Sequence, residues 1–301
     1  MSILFILFGG KANLLLMNKS RVRVAKEVKL QALHNLAQPV TDLYVTDNFP
    51  ELLDKPRLAI VGSRKVTPYG RSVTIQLAQA LARVGVVIVS GLAIGVDSIA
   101  HQAVLDAGGL TIAVLPSSLD RIYPAHHGQL AQRIVQQGGA LVSEYPEGSS
   151  APMKHQFIAR NRIIAALSQG VLITEAATKS GSLHTANFAL ESGLEVFAVP
   201  GNITSPMSAG TNNLIKTGAT PVTDVQDILE ALGINSQQSR AFIPNNLDEA
   251  AILQALKEGP QATNVLVQVT TLSPAIAQST LSMLEIAGAV QQTSSGLWQR
   301  T

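Results

Sequence analysis

The stretch LAIVGSRKVTPYGRSVTIQLAQALARVGVVIVSG, residues 58–91, decides the fold. It opens on LAIVG, apolar throughout, and closes on VVIVS. Between them Val73, Leu77, Ala80, Leu81 and Val84 recur at helical spacing and Gly85 ends the run. Strands that read as continuous β-branched runs, without alternation, are buried on both faces, so this is a strand–helix–strand unit of a parallel sheet covered by helices. The same run type returns at TIAVL (111–115), ALVSE (140–144), GVLIT (170–174) and EVFAVP (195–200). A repeating strand–helix order predicts an extended, doubly wound, mostly parallel Rossmann-like α/β fold.

Ligands of such sheets bind beyond the carboxyl ends of the strands, so the loops after each strand are where function is sought. Those loops include GSRKVTPYG (62–70), SGLAIGVD (90–97), SEYPEGSSAPMKHQF (143–157) and TEAATKSGS (174–182). The first follows a strand and opens a helix but lacks G-x-G-x-x-G, and no Walker A pattern occurs, so no dinucleotide or other cofactor is expected. Net charge is only +2 and 14% of the 301 residues are charged, so an anionic partner must meet locally clustered cations. Two windows are free of acids: Asp54 to Asp97, holding Lys55, Arg57, Arg64, Lys65, Arg71 and Arg83, and Glu147 to Glu175, holding Lys154, Arg160 and Arg162. Both windows include post-strand loops. Folding brings those loops to one rim, where cations and helix N-terminal amides suit phosphate groups. Phe157 sits in what reads as a Ser/Pro-rich loop, three residues after Lys154, and offers a ring on which a base could stack; a hydrophobic staple for the following helix is the plainer use of it.

Catalytic groupings are poor. Asp97 and His101 are spaced i, i+4 and Glu175 and His184 lie near KSGS, but no carboxylate pair, nucleophile elbow or metal-ligand spacing emerges. A nucleotide-processing hydrolase of a related Rossmann-like fold, with Glu175 as acid or base, is the alternative to a binding protein without enzymatic activity.

The chain divides on reading into a short N-terminal segment (1–56), the Rossmann-like domain (57–233), a polar linker (234–247) and a winged-helix-like domain (248–301), the last from three helical stretches and the hairpin-like AVQQTSSGLWQ. The segment PAIAQSTLSMLEIAG, where a DNA-reading helix would fall, contains no Lys or Arg, which points this domain to a protein-contact or regulatory role. The absence of cysteine suits a reducing cytoplasm. The apolar run in residues 1–17 is broken by Gly9, Gly10, Lys11 and Asn13, too short to span a membrane, and Met17 is a second candidate start.

In order, AIVGSRKVTPYG, SGLAIGVDSIAH, TIAVLPSSLDRIYP, SEYPEGSSAPMKHQFIARNRIIAALS, TEAATKSGSLHTANFAL and VFAVPGNITSPMSAGTNNLIKTGA resemble the DNA-processing protein A family (DprA, also called Smf) over about residues 57–220. The tail stretches ILQALKEGPQAT and LSMLEIAGAVQQ resemble that family's C-terminal domain. The resemblance implies a homodimer that binds and protects incoming single-stranded DNA during natural transformation and loads the RecA recombinase onto it. Carried over, the DNA pocket comprises Gly62, Ser63 and Arg64, then Ser90 and Gly91, then Lys154, Phe157, Arg160, Asn161 and Arg162, then Lys179, Ser180, Gly181 and Ser182. The chain departs from the family at Pro116 and His127, and its N-terminal segment is too short for a complete copy of the helical domain with which members commonly begin.

Overall fold

All six apolar runs form strands, and three further strands complete one nine-stranded sheet. In the computed structural model the described residues are 19–24, 27–234, 244, 246–293 and 296–300. In chain order the strands are β1 (Lys19–Arg23), β2 (Asp42–Thr46), β3 (Arg57–Val61), β4 (Val87–Ser90), β5 (Thr111–Val114), β6 (Ala140–Ser143), β7 (Gly170–Ile173), β8 (Glu195–Ala198) and β9 (Thr220–Pro221). They lie in the order β1-β2-β6-β5-β4-β3-β7-β8-β9. From β6 to β9 every pair is parallel, while β1–β2 and β2–β6 are antiparallel.

Helices α1 (Gln31–His34), α2 (Phe49–Leu52), α3 (Pro68–Arg83), α4 (Val96–Asp106), α5 (Gly128–Gln136), α6 (Lys154–Ala166), α7 (Ser182–Glu191), α8 (Ala209–Lys216) and α9 (Val225–Ala231) accompany the sheet. Alternation along β3 shows the layering. Ala59 and Val61 pack with Ile163 and Ile164 of α6 and Ala186 of α7, whereas Leu58 and Ile60 pack with Leu77 and Leu81 of α3 and Ala100 of α4. Both faces of the central strands are thereby buried, as continuous apolar runs require. At the start of α3 the Thr67 hydroxyl accepts the Gly70 N–H at 3.1 Å and Pro68 takes the first helical position, a helix start that satisfies an otherwise orphaned amide.

The structure moves the N-terminal boundary. Residues assigned to a separate segment, 1–56, supply β1 and β2, which join the same sheet as β3. Leu43 and Val45 of β2 point inward and are fully buried, which holds the strand against β6. β1, reading KSRVR, is an edge strand whose Ser20, Arg21 and Arg23 stay exposed; polar edge strands resist further pairing and carry no apolar signature. Residues 1–17, Met17 among them, lie outside the described residues, as does most of the 234–247 stretch.

Contacts divide the chain after Gln238 into two units. The second is a winged helix: α10 (Leu247–Ala255), α11 (Thr263–Thr270), α12 (Pro274–Ile286) and a hairpin of β10 (Val290–Gln292) and β11 (Trp298–Arg300). Its core gathers Ile252, Leu266, Leu281, Leu284 and Trp298, and the indole N–H of Trp298 donates to the Thr263 hydroxyl at 3.0 Å. Among the described residues no helix is long and apolar enough to cross a membrane.

Candidate nucleic-acid interface

Strand order reverses between β3 and β7. The chain leaves β3 toward β4 on one side and β7 toward β8 on the other, so their following loops part and leave a crevice at the carboxyl edge. A pocket of ≈ 720 Å³ occupies that crevice. Gly62 and Ser63 line it, and Ser63 organises the turn: its N–H donates to the Glu175 carbonyl at 2.7 Å and its hydroxyl accepts the Lys65 N–H at 3.0 Å. With the backbone held from below, the Arg64 and Lys65 side chains project into the pocket and remain exposed.

Lys154 and Phe157 reach the pocket from the first turn of α6, which begins at Lys154 and not near Phe157 as the sequence suggests. Phe157 is therefore a helical residue, half-buried, with its ring edge-on to Tyr123 at 5.2 Å between centroids and 72° between planes. The Arg64 guanidinium lies 5.4 Å from the Phe157 ring centre, within cation–π range. Opposite, Lys179, Ser180, Gly181 and Ser182 form the turn into α7 and line the same pocket. The Ser180 and Ser182 hydroxyls share a hydrogen bond of 2.8 Å, and the Asn161 amide donates to the Gly181 carbonyl at 3.3 Å, tying α6 to that turn. Among the described residues none of Arg64, Lys65, Lys154 and Lys179 belongs to an ion pair. Four exposed cations and the N-terminal amides of α7 thus face one crevice, whose lining carboxylate, Asp97, is buried and bonded to the Gly91 N–H, an arrangement that suits several phosphates.

Four expected pocket residues are placed otherwise. Arg160 is 3% exposed and donates to the carbonyls of Gly91 and Val114, both at 2.5 Å. Only its edge meets the pocket, and burial pushes its guanidinium down to about 10 despite the neighbouring Asp97 carboxylate. Arg162 is buried against Glu144, bonded at 2.7 Å, and borders a second cavity of ≈ 980 Å³ beside α1, α6 and α7. Ser90 is fully buried and donates to the Ile60 carbonyl at 2.6 Å. Gly91 binds Arg160 through its carbonyl and the Asp97 carboxylate through its N–H at 3.1 Å, and a Cβ here would fall 2.5 Å from the Arg160 guanidinium carbon. Arg160, Ser90 and Gly91 form a buried hydrogen-bonded layer at the pocket's edge, and Arg162 lies outside the pocket, on the second cavity. A cation in an acid-free window can be buried or exposed, because the backbone carbonyls that claim it come from distant parts of the chain.

His184 is exposed and lines the pocket, while Asp97, His101, His127 and Glu175 are held by the protein. Burial raises the Asp97 carboxyl, with Arg160 opposing. His101 is fully buried, its Nδ1 bonded to the Thr111 hydroxyl at 2.7 Å, and burial together with the His127 and Arg160 charges pushes it down to about 3. His127 packs with Nδ1 2.8 Å from the Leu92 carbonyl. Glu175, the acid or base of the hydrolase alternative, is 2% exposed and serves α3: its carboxylate accepts the Thr67 N–H at 2.9 Å and the Thr67 hydroxyl at 2.5 Å. Among the described residues no group of His, Asp or Glu could hold a metal ion. The sequence reading missed Tyr123 and Met207, both lining the pocket. An aromatic in a post-strand loop, the feature that singled out Phe157, was equally visible at Tyr123; Met207 carried no such signal.

With this geometry in view, residues 27–233 match the family described as DNA recombination-mediator protein A, and residues 235–296 match the DprA winged helix domain. Protein Smf of Escherichia coli (strain K12) is 51% identical over 176 residues, which is 58% of this chain and 47% of that protein. A putative DNA processing protein DprA of Mycobacterium tuberculosis is 39% identical over 261 residues, 83% of this chain and 66% of that one. The chain thus spans roughly half to two thirds of the length of these two relatives. Among solved structures, DNA processing protein A of Helicobacter pylori, studied for its single-stranded DNA binding mode, superposes with a TM-score of 0.64 at 38% identity, covering 72% of this chain and 96% of that one. DprA of Streptococcus pneumoniae has the same TM-score of 0.64 and 38% identity, over 72% and 75% of the two chains. A match over most of the chain, on a fold that puts the family's loops around one crevice, makes this chain a member of the DNA-processing protein A family.

Proposed function

We propose that this protein binds single-stranded DNA in the crevice between β3 and β7, with no chemistry of its own. The observation that carries the reading is the convergence of Arg64, Lys65, Lys154 and Lys179 with two aromatic rings around one open pocket. Exposed cations outside ion pairs neutralise phosphates, and rings take unpaired bases, whose faces are closed off in a duplex. Arg160, Ser90 and Gly91 support the site through their buried hydrogen bonds. Following the family resemblance, the bound strand is protected and passed to the RecA recombinase by a cytoplasmic homodimer during natural transformation.

The winged helix serves protein contact on this reading. The exposed side of α12 presents Ile276, Met283 and Ile286 beside a single amide, Gln278, and no cation, whereas a groove-reading helix also needs Lys or Arg against the phosphates.

Fluorescence anisotropy with labelled single-stranded and duplex oligonucleotides tests the site. Four phosphate contacts give a log–log salt slope of about −3, so affinity falls roughly fiftyfold between 50 and 200 mM salt. Arg64→Ala and Lys154→Ala each make the slope shallower by about 0.7. Unchanged binding in both variants refutes the pocket, and equal affinity for duplex refutes the role of unpaired bases.

A further inference from the structure

Tyr123 stands in the loop after β5, away from the cationic loops in sequence, yet it lines the same pocket and is 47% exposed. A singly exposed aromatic needs no explanation by itself; what marks Tyr123 is that its open ring faces the pocket beside Phe157. Its ring meets Phe157 at 72°, so the two planes form a corner. The surfaces of that corner are not equivalent. Phe157 is half-buried on α6 and already carries the Arg64 guanidinium at 5.4 Å, whereas the Tyr123 hydroxyl has no hydrogen-bond partner among the described residues. A base entering the pocket must displace Arg64 to lie flat on the face of Phe157 that this cation covers. Tyr123 offers ring surface at no such cost.

We propose that Tyr123 is a base-contacting residue of this site: it supplies the open stacking face of a two-ring corner, with Phe157 as the wall that fixes its angle. The inference rests on the single-stranded DNA reading above and assigns to Tyr123 the recognition of bases, while Arg64, Lys65, Lys154 and Lys179 hold the phosphates. Offset and perpendicular ring pairs hold one another's orientation, so the platform is set before the strand arrives and little ordering remains to be done on binding. A corner of this kind accepts any base face, which predicts tolerance of sequence and a requirement that the base be unpaired.

The test separates bases from backbone. Full-length protein is titrated against a labelled oligothymidylate and against an abasic oligonucleotide of the same length, as wild type, Tyr123→Ala, Tyr123→Leu and Tyr123→Phe. Wild type should prefer oligothymidylate to the abasic strand. Tyr123→Ala and Tyr123→Leu should each weaken oligothymidylate about 5- to 150-fold, which is a stacking contribution of about 1–3 kcal/mol at about 1.4 kcal/mol per decade. Abasic binding should stay at the wild-type value, and Tyr123→Phe should restore the preference. The leucine variant keeps apolar bulk against Phe157, so a loss shared with alanine comes from the missing π-face and not from a gap in packing. Equal loss on both probes in both variants, or no loss on oligothymidylate, overturns the assignment of Tyr123. If wild type binds both probes equally, base stacking itself is absent and the proposal falls while the phosphate site stands. Wild type binding neither probe removes the single-stranded DNA reading, and the assignment of Tyr123 with it.

Discussion

Replacing Arg160 by methionine distinguishes a structural cation from a DNA-contacting one. The side chain is 3% exposed and its guanidinium is committed to two backbone carbonyls, Gly91 and Val114, each at 2.5 Å, with the buried Asp97 carboxylate nearby. Methionine fills the space of the stem but returns none of these bonds. Two buried carbonyls left without donors cost about 1–3 kcal/mol each, and a buried carboxylate that loses its neighbouring cation belongs to the class of broken buried pairs, which cost about 3–5 kcal/mol. The two routes overlap, and they agree on a loss of about 3–5 kcal/mol. In a unit of this size each kcal/mol lowers the midpoint by about 2–4 °C, so the fall in Tm is roughly 6–20 °C. Thermal unfolding followed by circular dichroism reads this directly. Below the transition, the salt slope of the folded variant should equal that of wild type, since no phosphate contact is removed. A midpoint within about 2 °C of wild type, together with a slope shallower by about 0.7, would falsify the structural assignment and return Arg160 to the DNA.

Three other outcomes follow from the packing. Gly70→Ala should destabilise by about 1–3 kcal/mol even though alanine favours helices, because the new Cβ would lie 2.6 Å from the Glu175 carboxylate, which Thr67 holds in place; denaturant titration showing the stabilisation of about 1 kcal/mol expected from propensity alone would sink this. His101 is pushed down to about 3 from an ordinary 6.5, so it is neutral when folded and takes up a proton on unfolding; its contribution is whole above pH 6.5 and is lost as pH falls toward 3. His101→Asn, which keeps a donor for Thr111, should flatten the acid limb of stability by up to about 1.4 kcal/mol per pH unit, and because other groups, including the oppositely shifted Asp97, are common to both proteins, the difference between the two curves isolates this residue. Deleting residues 240–301 should leave single-strand affinity within tenfold of the full chain; a larger loss in anisotropy would place the winged helix on the DNA.

What the amino-acid order determines by itself is the sheet and its chemical edge. Runs such as VVIVS and TIAVL, short, β-branched and bounded by glycine or turn residues, read as strands covered on both sides, and the acid-free windows around Arg64 and Lys154 survive any detail of folding. β1 and β2 do not read as strands from the sequence alone: only Leu43 and Val45 alternate in β2, and the polar KSRVR of β1 carries no apolar signature, because an edge strand is fixed by its neighbour's backbone and not by its own side chains. Only the tertiary structure decides which cations face water. Arg64 and Arg160 read alike as letters, yet one projects from a turn and the other is captured by carbonyls 69 and 46 positions away. Such captures depend on where separate strands end in space, and so does the meeting of Tyr123 with Phe157, two rings brought together by the ends of two layers that local spacing does not connect.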